Sequence, residues 1–349
     1  MQVATAGLDL AKNIFQVHGI APEGNIVFNR PHRRPQVLSF FERLEPCLIG
    51  IEAFGTSHCR ARELTRLGHD VRLMPPMHVK PYVKRGKSDA IDAAAICEAV
   101  TRPSMRFVEV KSTDQRALLS LHRARDLIVR QRTQLINALR SLLAEFGVCI
   151  ARGLARVISF AEGVVEGTDL GLPSVAQDVI RNLSQQLRTL HSQVRWQEAG
   201  GRRQEAGLRL EAKRDARVQL LQTIPGAVAV TASAIAAAIG GGPQFRNGRE
   251  FAAWLGLTPA NKSSGGKERL GRITKMGGQY LRQLLVVGMT SLVRQTRSHP
   301  NRASKWPTAL LERKPARVAA VAMTNKTARI LEPPRVCRRL HLLIRMKPQ

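Results

Sequence analysis

Hydrophobic residues follow two different rhythms along this chain, and the changeover falls once, near residue 110. Before it, short aliphatic and β-branched runs at 3–10 (VATAGLDL), 14–20 (IFQVHGI), 26–29, 47–53 (CLIGIEA) and 69–74 are separated by helical stretches at 35–44 and 57–67. The runs predict an order βββαβαβ, the first three strands antiparallel. A loop rich in Pro and Lys follows, and Ser88 is placed to cap a helix running from residue 89 to about 100. Past the changeover, Leu118, Leu121, Ile128, Leu135, Leu139 and Leu142 recur at spacings of three, four or seven, which predicts one long amphipathic helix over 113–146. Residues 179–197 are helical in pattern again, so a helical hairpin or coiled-coil arm is expected. The whole is α/β plus α: a mixed α/β unit at 1–110, a helical arm at 111–219, a mainly helical unit at 220–330 and a basic tail at 331–349.

Charge narrows the class of partner. Lys and Arg number 55 against 26 Asp and Glu, a net charge of +29, which is too basic for an ordinary metabolic enzyme. Arginine supplies 42 of the cations, and guanidinium groups grip phosphate oxygens in pairs, so a polyphosphate backbone is the expected partner. Binding to a ribosome-like particle or a membrane surface is the alternative. Aromatics are 4% of residues, too few for base stacking to be the main device of recognition. Cys47, Cys59, Cys97, Cys149 and Cys337 are scattered and odd in number, which disfavours zinc and a disulfide framework. The first residues lack the basic and apolar pattern of a secretory leader, and the Ala-rich stretch at 226–242 is short for a bilayer span. A cytoplasmic location without a membrane partner is expected.

Four acids stand out against this background. Asp9 lies on the first strand, Glu52 ends the central strand, and Asp89 and Asp92 are three apart on one helical face. If the first and fourth strands are neighbours, all four can converge. Gathered carboxylates repel one another unless a cation offsets them, and Mg²⁺ is the hard ion that prefers oxygen ligands. One or two such ions suit in-line phosphoryl displacement. Taken singly, each acid is also explained as a strand-end or helix-start residue.

The stretches GLDLAKNIFQVHG, IGIEAFGTSH, KPYVKRGKSDAIDAAAICEA, TIPGAVAVTASAIAAAIG and FAAWLGLTPANKSSGGKERLGRITKMGGQYLR resemble the DEDD-type transposases of the insertion-sequence 110 family, especially its 1111 subgroup. The resemblance implies an N-terminal RuvC-like RNase H fold carrying the metal-binding tetrad Asp9, Glu52, Asp89 and Asp92. It also implies a C-terminal transposase domain with a nucleophilic serine, and a non-coding bridge RNA that pairs with donor and target DNA.

In NKSSGGKERLGRITK, Ser263 and Ser264 precede two glycines and are followed by Lys267, Arg269, Arg272 and Lys275. Glycines permit close approach of the backbone to a phosphate, and the cations would stabilise charge developing there. Read from the residues alone, this is equally a basic phosphate-binding loop. The family pattern selects Ser264 as the nucleophile. Ile224-Pro225-Gly226 before an Ala-rich helix fits either a phosphate-holding helical hairpin or plain packing. Lys80, Lys84, Arg85 and Lys87 precede the Asp pair and either track nucleic acid beside the metals or form a solvated loop. The expected activity is DNA breakage and rejoining by a homo-oligomer, dimer or tetramer, built on the arm. The rivals are a metal-dependent junction nuclease without serine chemistry and an inactive nucleic-acid-binding relic, the latter suggested by the weak arm pattern at 195–217 and the unusual tail.

Overall fold

The computed structural model of the chain describes residues 2–86, 88–199, 215–240, 244–302 and 304–331. Lys87, the core of the weak arm pattern and the tail beyond residue 331 lie outside the described residues. Two compact units result, Met1–Thr113 and Asp114–Gln349.

The first unit has a five-stranded sheet in the order β3-β2-β1-β4-β5. Its strands are β1 (Thr5–Leu10), β2 (Ile14–Ile20), β3 (Ile26–Arg33), β4 (Leu48–Glu52) and β5 (Asp70–Met74). β1, β2 and β3 pair antiparallel, while β4 runs parallel to both β1 and β5. The mixed α/β order read from the sequence is therefore present, with β3 extending past its expected end. Alternation along the strands sends Ala6, Leu8, Phe15, Val17, Ile49 and Ile51 into one core, where Val37 and Phe41 of α1 (Gln36–Glu42) and Ala61 and Leu64 of α2 (Ser57–Arg66) meet them. The opposite face takes α4 (Asp89–Val100), which follows the short helix α3 (Pro76–Val79). Its buried Ala95, Ile96, Ala99 and Val100 pack with Met74 and Val79. Ser88 caps α4, its hydroxyl accepting the Ile91 amide at 3.3 Å.

The second unit is mainly helical. α5 (Thr113–Ala144) and α7 (Ser174–Ala199) run antiparallel, since Arg125 reaches Glu198 at 2.5 Å and Arg132 reaches His191 at 3.2 Å. Between them α6 (Leu154–Val165) closes a core with Leu139, Leu143, Ile180 and Leu187. The sequence left this stretch unassigned because Gly153, Gly163, Gly167 and Gly171 interrupt its pattern. Next come α8 (Ala216–Gln222), α9 (Ala229–Ile239), α10 (Gly248–Trp254), α11 (Gln279–Ser298), α12 (Lys305–Arg313) and α13 (Ala316–Ile330). Ile235, Phe251, Leu255 and Leu285 centre their core. The α8–α9 turn presses directly onto α11: a Cβ on Gly226 would lie 1.8 Å from Met289 Cε, and one on Gly288 would lie 2.2 Å from the Gly226 carbonyl oxygen. Of the two readings of Ile224-Pro225-Gly226, this contact supports packing. Among the described residues no helix is long and apolar enough to cross a membrane.

Candidate functional site

Two glycines explain how the acids meet. Gly7 and Asp9 share one face of β1, and Gly50 and Glu52 share the same face of β4. The parallel register pairs Gly7 with Gly50 and Leu8 with Ile51, so Asp9 and Glu52 stand one step further along on neighbouring strands. On that face α4 lies in backbone contact with the sheet. A Cβ on Gly7 would be 2.1 Å from the Ala93 carbonyl oxygen and 2.5 Å from the Cys97 amide nitrogen; one on Gly50 would be 2.8 Å from Val100 Cβ. Asp89 and Asp92 sit one helical turn before Ala93 and Ile96, and so arrive above the strand ends.

Carboxylate oxygens of Asp9, Asp89 and Asp92 lie within 4.8 Å of one another. Glu52 stands outside that triad but lines a cavity of about 310 Å³ together with Asp9, Asp92 and Lys80. Burial, then the charges of Asp92 and Asp89, push the Asp9 carboxyl up to about 6. Burial, then Asp9 and Asp92, also raise Glu52. In both, burial and acidic neighbours disfavour the ionised form, and at Asp9 a backbone hydrogen bond from Leu10 only partly offsets this. Beside Asp9 on β2, Gln16 donates to Asn29 Oδ1 at 2.7 Å, and Asn29 donates to the Ala90 carbonyl at 3.3 Å, tying the sheet to the first turn of α4. Lys84 and Arg85 are exposed in the loop ahead of Ser88.

Ser264 belongs to the second unit. Where the sequence suggested an open loop, β6 (Pro259–Asn261) and β7 (Leu270–Ile273) form a small antiparallel hairpin. Its tip is Ser264-Gly265-Gly266-Lys267, closed by the Lys267 amide donating to the Ser264 carbonyl at 3.1 Å. Gly265 and Gly266 have φ of 56° and 75°, the left-handed pair that a two-residue hairpin turn requires. The two serines are thereby distinguished. Ser263 Oγ accepts the Arg269 amide at 3.0 Å, whereas Ser264 Oγ has no hydrogen-bond partner among the described residues. Lys267, Arg269, Arg272 and Lys275 are all exposed around it. Lys275 is the one non-glycine among the described residues with a positive φ, 57°, its amide held by the Gly256 carbonyl at 3.0 Å.

The sequence reading missed Gly7, Gly50, Gln16 and Asn29; of the basic residues it set beside the acids, Lys80 lines their cavity. A signal for the glycines existed: each strand carboxylate follows a glycine by two residues, in GLD and GIE. Nothing comparable marks Gln16 or Asn29.

Residues 6–147 match the DEDD family of IS110, described as Transposase, and residues 218–304 match the family described as Transposase IS116/IS110/IS902 family. The chain is 46% identical over 332 residues to a probable family 20 transposase of Pseudomonas aeruginosa, covering 95% of this chain and 96% of that protein. It is 37% identical to the transposase for insertion sequence element IS1328 of Yersinia enterocolitica, over 94% of this chain and 95% of the relative. It is 36% identical to the transposase for insertion sequence element IS1111A of Coxiella burnetii, over 93% and 87%. Acids converging from strand and helix in a strongly basic chain agree with these likenesses, and the chain belongs to the IS110/IS116/IS902 family of DEDD transposases, enzymes that act on DNA.

Proposed function

We propose that this transposase moves its insertion sequence by cutting and rejoining DNA strands through a serine-linked intermediate, with Asp9, Glu52, Asp89 and Asp92 holding Mg²⁺. The observation that carries the reading is the approach of three carboxylates to within 4.8 Å in a protein of net charge +29. The donor set fits a hard divalent ion, being oxygen throughout, and the upward shift of Asp9 marks charge that such an ion would offset. Bound there, Mg²⁺ would supply positive charge against the phosphate oxygens. Ser264, with its hydroxyl free of the hairpin's own hydrogen bonds, is the nucleophile. Its oxygen bonds to the scissile phosphorus as the bond from phosphorus to the deoxyribose oxygen breaks. The hydroxyl proton passes to a carboxylate base, and the departing oxygen takes up a proton. One phosphodiester replaces another, so reversal by a second strand's hydroxyl rejoins DNA without outside energy. Lys267, Arg269, Arg272 and Lys275 hold the surrounding phosphates.

The sheet order, with three antiparallel strands followed by two parallel ones, supports a RuvC-like RNase H reading of the first unit. We read residues 111–219 as the arm that joins copies into a dimer or tetramer, and 220–330 as the serine-bearing domain. Choice of sequence is assigned to a bridge RNA, which suits a chain rich in phosphate-gripping Arg.

The test incubates full-length protein with Mg²⁺, RNA transcribed from the element's flank and end-labelled target DNA, then looks for a protein–DNA band that survives denaturant. The band should appear with the native chain and vanish in Ser264→Ala and in Asp9→Asn. Free cleaved DNA persisting in Ser264→Ala would establish the junction nuclease instead. Tight RNA binding with no cleavage by the native chain would establish the inactive relic. A band of equal strength without RNA would remove the guide from the account.

A further inference from the structure

In the second unit α10, α12 and α13 enclose an open cleft of about 880 Å³ that includes no residue of the serine hairpin in its described lining. Arg249, Lys326 and Arg329 line it with Asn247, Asn325 and Trp306, and none of its described lining residues is acidic. Asn247 caps α10 and Asn325 donates to the Leu257 carbonyl at 3.0 Å, so both polar walls are held in place by the protein's own hydrogen bonds. The junction is rigid at its base, because Gly248 lies so close to the Arg329 backbone that a Cβ there would be 2.1 Å from the Arg329 carbonyl oxygen. Lys326 Nζ sits 3.8 Å from the centre of the Trp306 ring. The ammonium covers one face of the indole, yet Trp306 remains 39% exposed in a chain with only three tryptophans.

We propose that this cleft binds an unpaired DNA strand, Arg249, Lys326 and Arg329 taking consecutive phosphates while one base stacks on Trp306. Three cations with no acid among the described lining residues call for an anion, and an open aromatic beside them selects a strand whose bases are uncovered rather than a duplex. A DNA transposase generates such strands when it separates a duplex for cutting. The inference rests on membership of a DNA transposase family and not on the chemistry of the carboxylates or of Ser264.

The experiment measures binding of a labelled oligodeoxynucleotide to the full chain by fluorescence anisotropy in EDTA, across a salt series, so that failure leaves the cutting chemistry untouched. Trp306→Ala should weaken single-strand binding about tenfold, and Trp306→Phe should restore most of it. The triple variant Arg249→Gln, Lys326→Gln, Arg329→Gln should lower the slope of log affinity against log salt by about 2. A control triple, Arg313→Gln, Lys314→Gln, Arg317→Gln, removes the same charge outside the cleft lining and should change the slope less. Equal losses in both triples would reduce the cleft to a share of diffuse positive surface and overturn the proposal. Equal loss of duplex binding in Trp306→Ala would overturn the stacking. Loss confined to an RNA oligonucleotide of the same sequence would overturn the assignment to DNA.

Discussion

In the first unit, acids from three separate elements reach one place because a helix lies flat on two glycines. In the second, Ser264 stands on a hairpin whose shape is set by the two residues that follow it. Asp9, Asp92 and Glu52 are half-buried and Asp89 exposed, with Asp9 shifted to about 6 by burial and by its neighbours. The serine-bearing end of the hairpin, residues 261–270, is exposed throughout, and Cβ atoms at Gly265 and Gly266 would meet nothing within 4 Å. A group that must bind and fix a cation needs rigid support from packed elements. On the function proposed above, Ser264 is presented to DNA on a short exposed turn. The contrast predicts that the acid site breaks through packing and the hairpin only through its own residues.

The largest effect should come from the acids themselves. Asp9→Asn should lower covalent product by on the order of 10²–10³-fold or more, and should abolish the rise in melting temperature expected on adding Mg²⁺ to the native chain at pH 7.5. Both are read by gel and by thermal denaturation. Next comes Gly7→Val. Because its obstacle is the α4 backbone, overpacking should cost about 3 kcal/mol and shift Asp89 and Asp92 off Asp9, abolishing the Mg²⁺ response along with stability. Gly50→Ala meets the Val100 side chain first and should cost less, which denaturant titration of the two variants would show.

A third prediction concerns the packed part of the second unit, where His122 is 1% exposed and lies 3.2 Å from both the Tyr280 hydroxyl and Ser233 Oγ. Burial, then Arg125, lowers its pKa to about 4. The folded state therefore resists protonation that the unfolded chain accepts near 6.5. Stability is full above that value and falls as pH drops toward 4, by up to roughly 3 kcal/mol. Melting at pH 7.5 and pH 5 should differ in the native chain and differ less in His122→Asn. The smallest effect is expected at the hairpin tip. Gly266→Ala should cost about 1 kcal/mol of local strain and leave global melting unchanged, while covalent product drops. A global unfolding caused by Gly266→Ala would erase the distinction between the two regions.

Much of the element order was legible because strand and helix periods differ and Ser88 announces the start of α4. The helix α6 was not, since four glycines and its short length hide a pattern that its burial against Leu139 and Leu143 makes plain. The β6–β7 hairpin read as a loop because its strands are three and four residues long and carry few β-formers. The preference for Ser264 over Ser263 came from resemblance alone. The structure separates the two serines only in that Ser263 Oγ accepts the Arg269 amide.

Residue types and their spacing determined the chemistry on offer: oxygen donors, a serine beside glycines, and cations suited to phosphate. They also determined the two rhythms that split strands from helices, because those depend on neighbours close along the chain. That Asp9 meets Asp89 and Asp92, while Glu52 stands at the edge of their cavity, was decided only when α4 docked on Gly7 and Gly50. Such a contact joins residues far apart in sequence and depends on the absence of two side chains, which leaves no periodic trace to read.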